Sequence, residues 1–422
     1  MRNEADISRA AVATSRERAP LWILTEVYYP EDISTGHYLT AIAEGLAKHR
    51  TVNVLTGQPK HMSRGLKAPK SERRKGVDIV RTWGTTLDKN IFLFRLINML
   101  TIGVSMFIRS LWRFGRGDQV LVVTAPPSLP VTTAIACLLR GASFNILVQD
   151  SYPEILVAVG SAKAGSVFVR TINFINRWVY KYASSIIVMG RDMNRLFTEK
   201  TAGLDVPIIT IPNWADLETI APTSRADNPL LNELELQHKF VFMYAGNIGK
   251  PTDVETILAA AEMLRANDVF HFVFMGSGGK KKWLVAESQR LGLNNVTILD
   301  YRPRNEQIVF LNACDVGLVA LIKGMVGTAM PSRTYNIMAA GKPVLALAEA
   351  GSELETVVNE ERIGWVVEPH NAAALTGAIL AIYQNRGELP EIGESARTAA
   401  IDKYSADIAI DSYRGALDQY AV

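Results

Sequence analysis

The chain has 422 residues, 48% hydrophobic and 21% charged, which is enough for one large or, more economically, two ordinary domains with full cores and sets disorder aside as the default. Its two cysteines, Cys137 and Cys314, stand far apart and share no ligand-like spacing with each other or with histidine; this excludes a disulfide framework and a zinc site and suits a reducing compartment. Net charge is only +3, yet residues 50–116 hold 14 Lys/Arg against 3 Asp/Glu, a local +11 set against −8 elsewhere, and such an excess asks for an anionic partner: nucleic acid, anionic lipid or a pyrophosphate-bearing substrate.

In chain order, residues 1–18 mix both charges before any apolar run, which does not fit a secretory signal and reads as a loose leader. A strand-like run at Leu21–Thr25 leads to a loop ending at Gly36, the helical pattern HYLTAIAEGLAKH and a second strand at Val52–Thr56, a β-loop-α-β opening. The basic segment follows. Its longest uncharged run, Leu96–Ile108, has 13 residues, short of the roughly 20 that span a bilayer. On a helical wheel Arg95, Arg109, Arg113 and Arg116 fall within about 60° of one another, with Leu93, Ile97, Leu100, Val104 and Leu111 opposite. Such a helix either packs on the core with a solvated arginine face or lies on anionic headgroups.

Short β-rich runs at Val120–Thr124, Phe144–Val148, Ser185–Met189 and Ile208–Ile211, separated by helix-length stretches, predict a mostly parallel sheet covered on both faces. After IPNWAD (Ile211–Asp216) a polar stretch lacks any sustained apolar pattern, and the alternation restarts at Phe240–Tyr244. The expected organisation is an α/β chain: a first Rossmann-like domain over 19–216, a linker at 217–238, and a second Rossmann-like domain over 239–390. A helical tail, 391–422, could cross back to the first domain. Doubly wound sheets bind ligands at the carboxyl ends of their strands, so two facing domains would make an interdomain cleft.

Two strand exits in the second half are rich in glycine. In YAGNIGK (Tyr244–Lys250), Gly246 and Gly249 would let backbone N–H groups approach a phosphate, with Asn247 beside them and Lys250 to neutralise charge; FMGSGGKKK (Phe274–Lys282) repeats the arrangement with Gly276 and Ser277. Glycines after strands also serve merely as turns. Farther on, Pro331 and Ser332 read as a helix start with Ser332 as cap, and GSELE places Glu353 in a first helical turn at the sheet's carboxyl edge. Each has a structural alternative: Ser332 a cap, Arg333 a surface charge, Glu353 an acid favoured by the helix dipole. Asp150, in QDSYPE at a strand end, is either a polar group at a reacting centre or a turn acid.

Taken in order, YYPEDISTGHYLTAIAEGLAKH (Tyr28–His49), VQDSYPE (Val148–Glu154), IPNWAD, YAGNIGK, PSRTYNIMAAGKPV and GSE (Gly351–Glu353) resemble glycosyltransferase family 4, the retaining enzymes of the GT-B fold, and within it the colanic-acid and O-antigen type. The resemblance implies a nucleotide-diphosphate sugar donor held mainly by the second domain, no cofactor and no metal. Under it Gly246, Asn247, Gly249 and Lys250 border the diphosphate, with Gly276, Ser277 and Arg302 in the donor set. Ser332, Arg333 and Tyr335 belong to the donor helix, Glu353 lies near sugar or ribose, and Gly36 meets the phosphate from the opposing lip. Asp150 takes the polar role at the reacting centre. Many members carry two glutamates eight positions apart where this chain has Thr328 and Asn336, and the colanic-acid-like subgroup is similar to this chain in its asparagine.

The implied function is retaining sugar transfer to a membrane-associated, lipid-pyrophosphate-linked glycan in surface polysaccharide synthesis. It would take place in the cytoplasm, on the inner face of the plasma membrane, with Arg95, Arg109 and Arg113 toward membrane or acceptor. Alternatives of other classes are a nucleotide-sugar epimerase of the same fold and a catalytically silent binding subunit; nucleic-acid binding lacks any recognition motif.

Overall fold

The computed structural model describes residues 19–59, 68–87 and 92–420, leaving aside the side chains of residues 92, 93, 95 and 96. The expectations for residues 1–18 and for the Leu93 and Arg95 side chains therefore lie outside the described residues. The described residues form two compact units, one drawn from Met1–Leu147, Tyr182–Ser184 and Leu417–Val422, the other from Val148–Lys181 and Ser185–Ala416.

The first unit contains β1 (Leu21–Leu24), α1 (Ser34–Ala47), β2 (Val52–Thr56), β3 (Ser71–Arg74), β4 (Val77–Arg81), α2 (Phe92–Arg113), β5 (Gln119–Val123), α3 (Leu129–Arg140) and β6 (Ser143–Leu147). Its strands lie in the order β3-β4-β2-β1-β5-β6, parallel except for the β3–β4 hairpin. β1 and β5 are buried along their whole length, which is why they read as unbroken apolar runs. Tyr38, Leu39, Ile42, Ala43 and Leu46 of α1 are buried at helical spacing.

The β3–β4 hairpin has no apolar alternation in β3 and was not predicted. Lys75 and Gly76 turn it with φ of +45° and +84°, the left-handed pair that matches strand twist. The hairpin also consumes part of the basic excess. Arg74 and Lys75 pair with Glu44 of α1, and Arg81 pairs with Glu72. At the start of β5 the buried Gln119 accepts from Arg50 Nη1 at 2.8 Å and donates to the carbonyl of Leu417 at 2.8 Å.

Of the two placements expected for α2, packing of its apolar face on the core is corrected. Ile102, Gly103, Met106 and Ser110 are its buried residues among those described, whereas Leu100, Val104, Ile108 and Trp112 (83% exposed) face solvent at four-residue spacing, together with Arg109 and Arg113. Ile102, Met106 and Ser110 thus fall on the arginine side of the wheel, and the exposed apolar groups form the opposite, outer face. None of the helices among the described residues is long and apolar enough to cross a membrane.

The second unit begins with α4 (Glu154–Ala158), α5 (Val167–Tyr182, whose last residue groups with the first unit), β7 (Ser185–Val188), α6 (Arg191–Lys200) and β8 (Ile208–Thr210), with β7 and β8 paired in parallel. The stretch expected to be a featureless linker contains a short helix, α7 (Pro229–Glu233). Asn228 Oδ1 accepts from the N–H groups of Leu230 and Leu231, and both leucines are buried.

Next come β9 (Phe240–Ala245), α8 (Val254–Met263), β10 (Phe270–Met275), α9 (Lys281–Leu291), β11 (Val296–Leu299), α10 (Gln307–Ala313) and β12 (Val316–Ala320). The series ends with α11 (Arg333–Ala339), β13 (Val344–Leu347), α12 (Glu353–Glu360), β14 (Gly364–Val367), α13 (Ala372–Gln384), α14 (Leu389–Asp402) and α15 (Ala406–Gln419). The sheet is wholly parallel in the order β11-β10-β9-β12-β13-β14. Phe240, Phe242, Phe270 and Phe272 cluster on β9 and β10 with ring centroids 5.3–6.4 Å apart, Phe242 stacked on Phe272 and the other pairs tilted or edge-on. Strand order reverses between β9 and β12, and the carboxyl ends of those two strands flank the crevice where this topology takes ligands.

Candidate active site

At the reversal point, β9 runs into Gly246 and β10 into Gly276 and Gly278, with φ of +149°, +147° and +152°, conformations that L side chains rarely adopt. The two exits touch backbone to backbone. A Cβ on Gly276 would sit 1.9 Å from Gly246 O, and one on Gly278 would sit 2.2 Å from Ile248 O. Ile248 N–H donates to Ser277 O at 2.8 Å, and Lys280 N–H donates to Ile248 O at 3.0 Å. Tyr244 Oη, buried beneath, bonds Asn247 O at 2.7 Å, fixing the first loop from below.

α11 delivers Arg333 onto this floor. Its guanidinium carbon stands 4.2 Å from the centroid of the Tyr244 ring and would lie 2.8 Å from a Cβ on Gly246. Arg333 Nη1 is buried and has no hydrogen-bond partner, an electrostatic cost that a bound anion would relieve. Gly317 on β12 lets α11 approach this closely, since a Cβ there would meet Ile337 at 2.7 Å. Gly246, Asn247, Gly276, Ser277 and Arg333 are therefore brought together; Gly249 packs against Asn247, and Lys250 is exposed at the loop's end.

Other predicted donor residues are placed differently. Tyr335 is wholly buried and stacks on Tyr404 at 5.0 Å, so it braces α11 from behind instead of reaching a ligand. Arg302 is held by Glu233 at 2.6 Å and by Glu306 at 3.4 Å. Ser332 occupies the cap position, but its side chain makes no capping bond. In the other unit, Gly36 is buried within α1, where a Cβ would strike Glu31 O at 2.5 Å. Asn336 is buried and accepts from Asp216 N–H at 3.2 Å, and Thr328 bonds Met325 O at 2.8 Å.

Glu353 is 7% exposed at its side chain and already taken. Its Oε2 accepts from Arg191 N–H at 2.8 Å and Arg191 Nε at 3.0 Å, and Oε1 accepts from Arg191 Nη2 at 3.2 Å. A bidentate pair of this kind lifts the arginine further above its ordinary range, chiefly through hydrogen bonding to Glu353. Beside it Asp192 Oδ2 accepts from Gly327 N–H at 2.9 Å and Glu353 N–H at 3.0 Å. Arg191 and Asp192 escaped the sequence reading. Their signal was the Gly190-Arg191-Asp192 exit of β7, where a Cβ on Gly190 would collide with Glu353 at 2.8 Å.

Asp150 is half-buried, and desolvation pushes its carboxyl up to about 6. The next residue, Ser151, donates its N–H to Thr328 O at 3.0 Å. The loop bearing Asp150 is thus fastened to the segment that leads into Arg333.

Residues 231–399 match the family described as glycosyl transferases group 1. The chain is 32% identical over 331 residues to the probable glycosyltransferase WbjE of Pseudomonas aeruginosa, covering 77% of this chain and 80% of that protein. The chain belongs to the group 1 glycosyltransferases. The glycosyltransferase is also 26% identical over 365 residues to WcaI of Escherichia coli (strain K12), which carries the name of a colanic acid biosynthesis glycosyl transferase, covering 83% and 89% of the two chains. Its two Rossmann-like sheets are those of the GT-B fold. The crystal structure of Anabaena Alr3699/HepE in complex with UDP-glucose superposes with a TM-score of 0.69 at 14% identity, over 95% of this chain and 99% of that one. In this glycosyltransferase Arg333 stands at the strand-reversal point, over Tyr244 and Gly246.

Proposed function

We propose that this glycosyltransferase moves a sugar from a nucleotide-diphosphate donor to a lipid-pyrophosphate-linked glycan during surface polysaccharide synthesis, with retention of configuration. The carrying observation is the buried, unpartnered Nη1 of Arg333 over the glycine floor of Gly246 and Gly276, the electrostatic complement of a diphosphate. Names among the similar proteins support the reading: colanic acid biosynthesis for one, a UDP-glucose complex for another.

In this reading the bond from the sugar C1 to the β-phosphate oxygen breaks as an acceptor hydroxyl oxygen bonds to C1 on the same face, and the hydroxyl proton passes to the departing phosphate. Arg333 and Lys250 stabilise the charge that collects on the diphosphate, and the chemistry takes no metal. Asp150 supplies a polar contact at the reacting centre without acting as nucleophile. The exposed surface of α2, with Val104, Ile108, Trp112, Arg109 and Arg113, rests on the anionic inner membrane face.

A thermal-shift screen of UDP-, GDP- and TDP-sugars tests the donor half. One family of donors should raise Tm in the parent protein and not in Arg333→Ala. A shift that survives this substitution would remove Arg333 from the donor site. Incubating enzyme and donor without acceptor separates transfer from epimerisation, since only an epimerase would convert the donor alone.

A further inference from the structure

The helix α5 (Val167–Tyr182) presents an apolar surface that nothing in its own unit covers. Val167, Phe168 and Phe174 are 80%, 56% and 76% exposed, with Ile175 beside them, and only Val169, Val179 and Tyr180 are buried. At helical spacing Val167, Phe168, Thr171, Phe174 and Ile175 make one outward arc of about 120°, and Arg170, Arg177 and Lys181 fall together along one edge of it. No Asp or Glu occurs from residue 155 to residue 190, a stretch that also contains Lys163.

We infer that α5 is a second lipid-facing element: it lies on an anionic bilayer surface with Phe168 and Phe174 in the headgroup boundary and its basic edge toward lipid phosphates. Charge selects this occupant. A second copy of the chain set against the same face would bring the cationic edges together with no carboxylate on the helix to offset them, whereas anionic headgroups complement them.

The helix is also tied to the site. Asn176 Nδ2 donates to Tyr152 O at 2.9 Å, and Lys200 Nζ donates to the same carbonyl at 3.1 Å, two residues beyond Asp150. A bilayer holding α5 would therefore hold the Asp150 loop at a fixed height above the lipid phosphates, where a lipid-borne acceptor presents its pyrophosphate. This last step rests on the acceptor reading given above, whereas the lipid contact itself does not.

The test is co-sedimentation of the full chain with phosphatidylcholine vesicles, with and without phosphatidylglycerol. The parent should bind the anionic vesicles selectively, and Phe168→Glu/Phe174→Glu should reduce the bound fraction about tenfold. Both side chains are exposed, so Tm and any donor-induced thermal shift should be those of the parent. Equal binding by parent and variant overturns the inference, as does a parent that ignores anionic vesicles. Light scattering that shows a dimer lost in the variant assigns the face to self-association and overturns it too. A vesicle result that holds while no nucleotide-sugar shifts Tm would instead count against the donor reading alone.

Discussion

Two arginines of the second unit sit in opposite electrostatic states. Arg191 is saturated: Glu353 takes its Nε and Nη2, and Glu360 takes its Nη1 at 2.6 Å. Arg333 is held by packing on Tyr244 and Gly246, with a buried nitrogen left unpaired. A cation whose donors are satisfied internally fastens elements together, while one pinned in place with a donor unspent is prepared for an anion from outside. Two carboxylates differ as well: the Glu353 oxygens accept from Arg191, while burial lifts the Asp150 carboxyl.

Substitutions can break the contrast at either end. The largest effect belongs to Arg333→Ala: transfer should fall about 10²–10³-fold with little change in Tm, as measured by product formation beside a melting curve. Arg191→Ala should do the reverse, lowering unfolding free energy in urea by about 2 kcal/mol because Glu353 stays buried without its partner. Arg191 is itself partly exposed, which puts the loss below that of a fully buried pair. Rescue of stability by Arg191→Ala/Glu353→Gln would confirm the pair as the source.

Asp150→Asn sharpens the comparison through pH. Burial raises the carboxyl from 3.8 to about 6, so between those values the folded chain keeps a proton that the unfolded chain has released. Stability therefore falls as pH rises through that window. The asparagine variant should lose this dependence and be more stable at pH 7 by about 1–3 kcal/mol, while transfer drops. Urea melts at pH 4 and pH 7 check it. The smallest effect is Ser352→Ala, which removes the cap on Glu355 N–H at 3.2 Å and should cost about 1 kcal/mol without altering donor binding.

Much of this architecture was legible in the sequence. In the second unit the runs Ser185–Met189, Ile208–Ile211 and Phe240–Tyr244 agree with β7, β8 and β9 to within one residue, because parallel strands covered on both faces are short apolar runs between turn residues. The glycine exits were legible for the same local reason, and Arg333 follows from the helix start. What the helix start did not give is rotation: Tyr335 is two positions from Arg333 and points to the core. The partner of Glu353 lies 162 positions away in sequence, and no local pattern announces it. For α2 the wheel left two placements open, core or headgroups, and could not choose between them; Leu100, Val104 and Ile108 face out. The hairpin strand Ser71–Arg74 has charged residues where alternation would have been the signal.

The contact between Gln119 and Leu417 has a consequence for biosynthesis. Gln119 opens β5, and its side-chain amide meets its carbonyl partner only 298 positions later. During translation the first unit therefore lacks this partner until residue 417 has cleared the ribosome. Loss of Leu417 would thus reach back to an early-made part of the molecule, taking from the Gln119 amide N–H its acceptor while Arg50 still holds the Gln119 oxygen.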